Sequence, residues 1–171
     1  MMFALGLLIA VVAMSAPVAM GGESTFEAVV SPAGEGVIVP AASVPPGAPT
    51  PAYEGASWTP TRSDVHLLEG RLPEFLRRAA KQVPPNAGLG LAPTTAQIRD
   101  LSARLRQFRR QYIGVTIEGH RRVRMSAFPA SGFPEWRERL VVVLGGGCSF
   151  WRTDFDVETA QFVGLGCNSP R

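Results

Sequence analysis

The sequence predicts an α+β fold: two helices followed by an antiparallel sheet of about five strands, with a helix packed on one sheet face. Three observations carry that expectation. Apolar residues recur at helical spacing between Val65 and Phe108, they alternate with period two after Tyr112, and glycine-containing turns separate the alternating runs.

Ahead of the folded part lie two segments of different composition. Residues 1–21 carry no charged side chain and are almost wholly apolar from Phe3 to Met14, the pattern of a signal peptide or an N-terminal membrane anchor. Ala19 and Gly21 suit cleavage before Gly22, while the same stretch would just span a hydrocarbon core if retained. Either reading makes the chain an exported protein, periplasmic or secreted, or else held in the inner membrane by its N-terminus. Residues 22–58 are rich in Pro, Ala, Gly and Ser, clearest from Pro40 to Pro51. Prolines remove backbone donors and small side chains bury little area, so this tract is expected to be a disordered linker. Within it, Ala28-Val29-Val30 and Gly36-Val37-Ile38-Val39 could pair as a small hairpin. Residues 59–171 form a single α+β domain of a size that supports one modest core.

Thr61-Arg62-Ser63-Asp64 has the spacing of a capping box. Behind it Val65, Leu68, Leu72, Phe75, Leu76 and Ala79 make one apolar stripe, inside which Pro73 is expected to kink or split the helix. Val83 to Gly90 ends it. Thr94-Thr95-Ala96-Gln97 opens a second helix, in which Ile98, Leu101, Leu105 and Phe108 share a face and Asp100 can pair with Arg104.

At Tyr112 the period changes. Ile113, Val115 and Ile117 alternate, and the pattern resumes with Val123, Met125 and Ala127. Placing both sets on one face requires a Gly119-His120-Arg121 loop with Glu118 opposite Arg122. Leu140-Val141-Val142-Val143-Leu144 is apolar throughout and predicts a central strand covered on both faces. Three glycines follow, then strands from Ser149 to Phe155 and from Gln161 to Cys167 around a turn at Asp156 to Thr159. Pairing Phe155 with Phe162 sets Thr153 opposite Gly164 and Trp151 opposite Gly166, leaving room for the indole to lie across the partner strand. The same register brings Cys148 and Cys167 to one face, within reach of a disulfide, which is the default for two cysteines beyond an export signal.

The tail GGGCSFWRTDFDVETAQFVGLGCN, with RRQYIGVTIEGHRRVRMSAFP upstream, resembles small exported bacterial proteins of no assigned function. Their pattern Phe/Trp-x-x-x-aromatic-Asp-x-x-Thr-x-x-Phe is matched by Trp151, Phe155, Asp156, Thr159 and Phe162. The turn is also similar to the strand–Asp-x-x-Thr-Gly–strand of PepSY-type domains, with Ala160 where those have Gly. Neither resemblance implies catalytic residues.

Candidate chemistry is sparse. Cys148 with His120 could form a thiolate–imidazole pair, in competition with the disulfide. Asp154, Asp156 and Glu158 alternate like the start of a calcium loop, but Thr159 and Leu165 stand where the turn glycine and closing glutamate belong. Gly145-Gly146-Gly147 lacks the helix and Lys-Ser/Thr of a phosphate cradle, and His66 and His120 match no zinc spacing. No catalytic, metal or cofactor residue is therefore expected. The arginines are the remaining signal. All 17 basic residues fall in residues 62–171, against ten acidic ones, a formal charge of +7 there. Arg106, Arg110, Arg121, Arg122 and Arg124 make a candidate patch for an anionic envelope polymer, a lipid headgroup or an acidic protein. An exported chain seldom meets nucleic acid, so that partner is not expected; genomic base composition is the competing cause of arginine enrichment. The expectation is an exported binding or interaction module rather than an enzyme. A protease-inhibitor-like or chaperone-like pro-domain module is the alternative the PepSY-like turn implies, and a hydrolase using Cys148 stands behind both.

Overall fold

The computed structural model, which describes residues 25–47 and 52–170, starts its sheet inside the segment that composition marks as a linker. β1 (Glu27–Ser31) and β2 (Gly34–Ile38) form a hairpin, with Ala28 opposite Val37 and Val30 opposite Glu35. β3 (Ala56–Trp58) follows. The expected disordered linker over 22–58 is thus corrected. Val29, Val37, Ile38, Val39 and Tyr53 are fully buried there, and that apolar area offsets the entropy of ordering the tract. Its described prolines stand outside the strands, at Pro32 in the hairpin turn and at Pro40, Pro45 and Pro46 after β2. The expected signal peptide or anchor, residues 1–21, lies outside the described residues. Among the described residues no helix is long and apolar enough to cross a membrane.

α1 (Arg62–Ala79) and α2 (Thr95–Ala103) both begin with complete capping boxes, Thr61 with Asp64 and Thr94 with Gln97. Pro73 does not split α1, which runs through it as one helix. α2 stops sooner than its apolar spacing suggests. One 3-10 turn, Leu105–Gln107, hands the chain to β4 (Phe108–Ile117), so the alternating period starts at Phe108 rather than Tyr112. β5 (His120–Pro129), β6 (Trp151–Asp156) and β7 (Gln161–Cys167) complete a mostly antiparallel sheet ordered β1-β2-β4-β5-β6-β7, with β3 pairing β4 off that path. Only β2 and β4 run parallel. Among the described residues seven strands stand where about five were expected: the segment before residue 59 supplies three, and the expected strand at 140–144 is absent.

The β4–β5 turn differs from the expected loop. Ile117 pairs with His120 across a two-residue turn, Glu118 (φ +53°) and Gly119 (φ +81°), the left-handed pair of a type I′ hairpin. The two apolar sets consequently lie on opposite faces. Tyr112, Val123, Met125, Ala127, Trp151 and Phe155 share a buried cluster with Leu68, Leu72 and Leu76 of α1 and Ile98 and Leu101 of α2. Ile113, Val115 and Phe128 belong to a second cluster with Val37, Val39, Tyr53 and Trp136, covered by irregular chain.

Leu140 to Leu144, expected as a central strand, joins no strand. Side chains hold its backbone in place of a ladder. Val141 N donates to Tyr53 Oη at 3.1 Å and to Gln111 Oε1 at 3.0 Å, and Asn168 Nδ2 donates to Val143 O at 2.6 Å. Val142 and Leu144 face outward.

In the β6–β7 hairpin Phe155 does pair with Phe162. A bulge beside Asp154 then shifts every later pair, so Thr153 faces Leu165 and Trp151 faces Cys167. The glycines of β7 make room for a loop, not for the indole. A Cβ on Gly164 would lie 2.6 Å from Ala87 Cβ, and one on Gly166 would lie 2.6 Å from Leu89 O. That loop adds its own bonds to the outer edge of β7, Leu165 N to Pro85 O and Cys167 N to Leu91 O. Despite the shift, Cys148 and Cys167 meet with their sulphurs at bonding distance, 2.06 Å.

Candidate binding site

The five arginines of the expected patch do not converge. Arg110 is fully buried. It donates to Ala33 O and Leu105 O and stands 3.5 Å from Glu69. Arg124 is buried on the opposite face and holds Asp154 in a two-bond fork at 2.8 and 2.9 Å. Arg122 lies half-buried opposite Asp156. Only Arg106 and Arg121 are exposed. The first donates to Pro32 O, and the second stacks 4.0 Å above the Trp58 ring. Alternation along β4 and β5 explains the scatter, since neighbouring arginines in one strand leave opposite faces of the sheet.

A thiolate nucleophile is not available either, because Cys148 is bonded to Cys167. His120 sits at the β4–β5 turn, where Nδ1 stands 3.2 Å from Asp156 Oδ2. Asp156 in turn accepts from the Glu158 and Thr159 amides at 3.0 and 2.9 Å, so it organises the β6–β7 turn. Burial works against its ionisation, but the hydrogen bonds from Thr159 and Glu158 and the nearby His120 outweigh it and hold the carboxyl below the usual range. Asp154 is tied to Arg124, and no group of three or more potential metal ligands occurs among the described residues.

Two buried polar systems were not read from the sequence. Under α1, Glu69 accepts from Tyr112 Oη at 2.7 Å and from Ser31 Oγ at 2.6 Å, with Arg110 beside it. Burial, then the Glu69 charge, pushes the Tyr112 hydroxyl well above its ordinary value. The signal was present, since Glu69 occupies an inward position of the α1 stripe between Val65 and Leu72. On the other face, Gln111 Nε2 donates to Trp136 O and Arg139 O, and burial raises the Tyr53 hydroxyl. These systems fix loops to the sheet.

A concave surface lies between the C-terminal half of α1 and the β6–β7 hairpin. This groove of about 780 Å³ has Phe75, Ala79, Ala160 and Phe162 in its floor, the two phenylalanine rings stacked with centroids 4.2 Å apart. Arg71 and Arg78 stand over it, and no acidic residue lines it. Arg71 Nη1 donates to Ala160 O at 2.6 Å, which presets its side chain across the groove; Arg78 is largely exposed, with its Nε 3.4 Å from Glu74 Oε1. Spacing could have found this pair, because residues seven apart share a helix face and Phe75 lies midway between them. The apolar stripe drew Phe75 into the core reading instead.

No protein-family model matches this sequence, and no curated protein or solved structure matches it.

Proposed function

We propose that this chain is an exported, non-catalytic binding module whose α1–β7 groove receives an acidic segment of a partner protein. The observation that carries this reading is the lining of the groove: two arginines beside aromatic side chains with no carboxylate in the lining itself, Glu74 lying outside it against Arg78. A segment with apolar side chains flanked by Asp or Glu complements both features, and electrostatic complementarity of this kind gives orientation and on-rate. Export follows from the apolar, charge-free residues 1–21, and a disulfide between Cys148 and Cys167 suits an oxidising compartment. The site differs from the arginine cluster read in the sequence, and the partner is one of the three anionic classes read there.

Titration of the protein with a soluble acidic, leucine-containing peptide tests the reading. Amide shifts should centre on Phe75, Arg78 and Phe162, and Arg78→Glu combined with Arg71→Glu should weaken binding at least tenfold. Arg121→Glu, beside the β4–β5 turn and outside the groove lining, should leave it unchanged. Equal binding by the groove variant would overturn the reading. Preference for anionic vesicles or an envelope polymer over the peptide would replace the partner class. The compartment is tested separately by the mass of the mature N-terminus in the native host.

A further inference from the structure

The ladder between β5 and β6 carries charge in register on the face away from the helices. Arg122 stands opposite Asp156 and Arg124 opposite Asp154, so two rungs are matched cation to anion. On the third rung Arg152 stands opposite Ser126. Arg152 is only 6% exposed, and among the described residues no carboxylate pairs with it. Nε and Nη2 both donate to a single carbonyl, Leu89 O, at 2.9 and 2.6 Å, which leaves Nη1 without a protein partner among the described residues. Across the rung, Ser126 Oγ is buried without a hydrogen-bond partner there. Counting the half-buried Arg122, these three rungs hold three guanidiniums against two carboxylates. Arginine cannot shed its charge, so a buried guanidinium with no carboxylate within ion-pair distance sits in an unfavourable place. Burial, then the neighbouring Arg124 charge, depresses the Arg152 pKa, which marks the same unfavourable setting.

Arg152 also lines a pocket of about 140 Å³ that it shares with Gly90, Leu144, Asn168 and Ser169. The walls are set independently of any ligand. Asn168 ties the pocket to the 143–145 backbone through its Nδ2, and Cys167 is fixed by the disulfide and by its ladder with Leu91. Gly90 holds a φ of +123°, and a Cβ there would lie 2.2 Å from Cys167 O and 2.9 Å from Arg152 Nη2. A bare Cα at this position keeps the loop against the guanidinium and leaves the pocket open. Its volume is that of a few water molecules, each about 30 Å³ in the liquid, and falls short of the roughly 300 Å³ at which pockets for drug-sized ligands begin.

We infer that this pocket is a binding site for a small oxyanion, a carboxylate or phosphate group, with Arg152 as its counter-charge. A guanidinium offers parallel N–H donors matched to two oxygens of such a group. The site is separate from the α1–β7 groove and stands whether or not that groove binds a peptide. Inorganic phosphate, acetate and chloride, compared at equal ionic strength, test it. The melting temperature of the native chain should rise saturably with phosphate or acetate and not with chloride, by several degrees at saturation. Arg152→Met should lose that response, and Arg71→Glu/Arg78→Glu should keep it. The native chain supplies an independent readout should Arg152→Met fail to fold: during phosphate or acetate titration the Arg152 Nε–H and the Gly90 and Asn168 amides should move together. No saturable shift at those groups with either oxyanion overturns the inference. So does a shift centred on Arg78 and Phe162, which would move the anion into the groove.

Discussion

Ala160 holds a φ of +54° at the end of the β6–β7 turn, the position where the PepSY-like pattern has glycine. A left-handed residue with a Cβ costs about 1–2 kcal/mol, and glycine gives back part of that gain, about 0.5–1 kcal/mol, as unfolded-state entropy. Ala160→Gly should therefore stabilise the chain by up to about 1 kcal/mol in urea titrations, and a loss of stability would show that the methyl's place in the groove floor matters more. Asp156, four residues earlier, governs acid sensitivity of the same turn. Its carboxyl sits below the usual range in the folded chain, so it contributes stability above its unfolded value of about 4, and that contribution drains away as pH falls through the folded value. Asp156→Asn keeps an acceptor for the Glu158 and Thr159 amides but cannot titrate. Its unfolding free energy should fall less steeply below pH 4 than that of the native chain; parallel curves would assign the acid sensitivity elsewhere.

Among the elements, the two helices were legible because their start signals are local. A threonine and its partner three residues on suffice to define each cap, and the α1 stripe needs no distant information. The β1–β2 hairpin reads in the sequence only as an alternative pairing inside a tract expected to be disordered. The wider strand order was not legible, since β2 joins β4 by a parallel pairing that no turn announces. Leu140 to Leu144 illustrates the converse failure. Its composition fits a buried strand, yet Tyr53, Gln111 and Asn168 capture its backbone first. Glycine positions mislead in a related way, because the space they provide is defined by whichever segment crosses them. At Gly166 that segment is the Leu89 backbone, which cannot swing aside as a side chain would. Gly166→Ala should cost about 1–3 kcal/mol by overpacking. Gly70 lies on the exposed side of α1, where an added methyl would meet nothing within 4 Å, and should do the opposite. Gly70→Ala should gain about 1 kcal/mol from helix propensity. Thermal melts of the two variants against the native chain measure both signs, and equal effects would show that loop contact does not distinguish the two glycines.

At the scale of the whole molecule, the sheet is covered on its two sides by different means. Side chains of both helices share the cluster around Leu72 and Trp151, whereas chain outside helices and strands supplies much of the cluster around Val115 and Phe128. A covering without its own ladder depends on the points where it is tied down, and Cys148 is a covalent one shortly before β6. Its bond to Cys167 closes a loop between residues 19 apart, and in the chain-entropy model a loop of that size is worth about 3 kcal/mol. Reduction should therefore lower the melting temperature by at least several degrees, as should Cys148→Ser. The loss should also be uneven. Amides of the terminal strand near Leu165 and Cys167, and of the neighbouring loop at Leu89 and Leu91, should exchange faster once the bond is cut, because their ladder lies at the sheet edge beside it. Those of Met125 and Thr153, paired in the middle of the sheet, should keep their protection until global unfolding. Uniform acceleration across both groups would mean that the covering and the sheet unfold as one unit, with the bond acting on the unfolded chain alone.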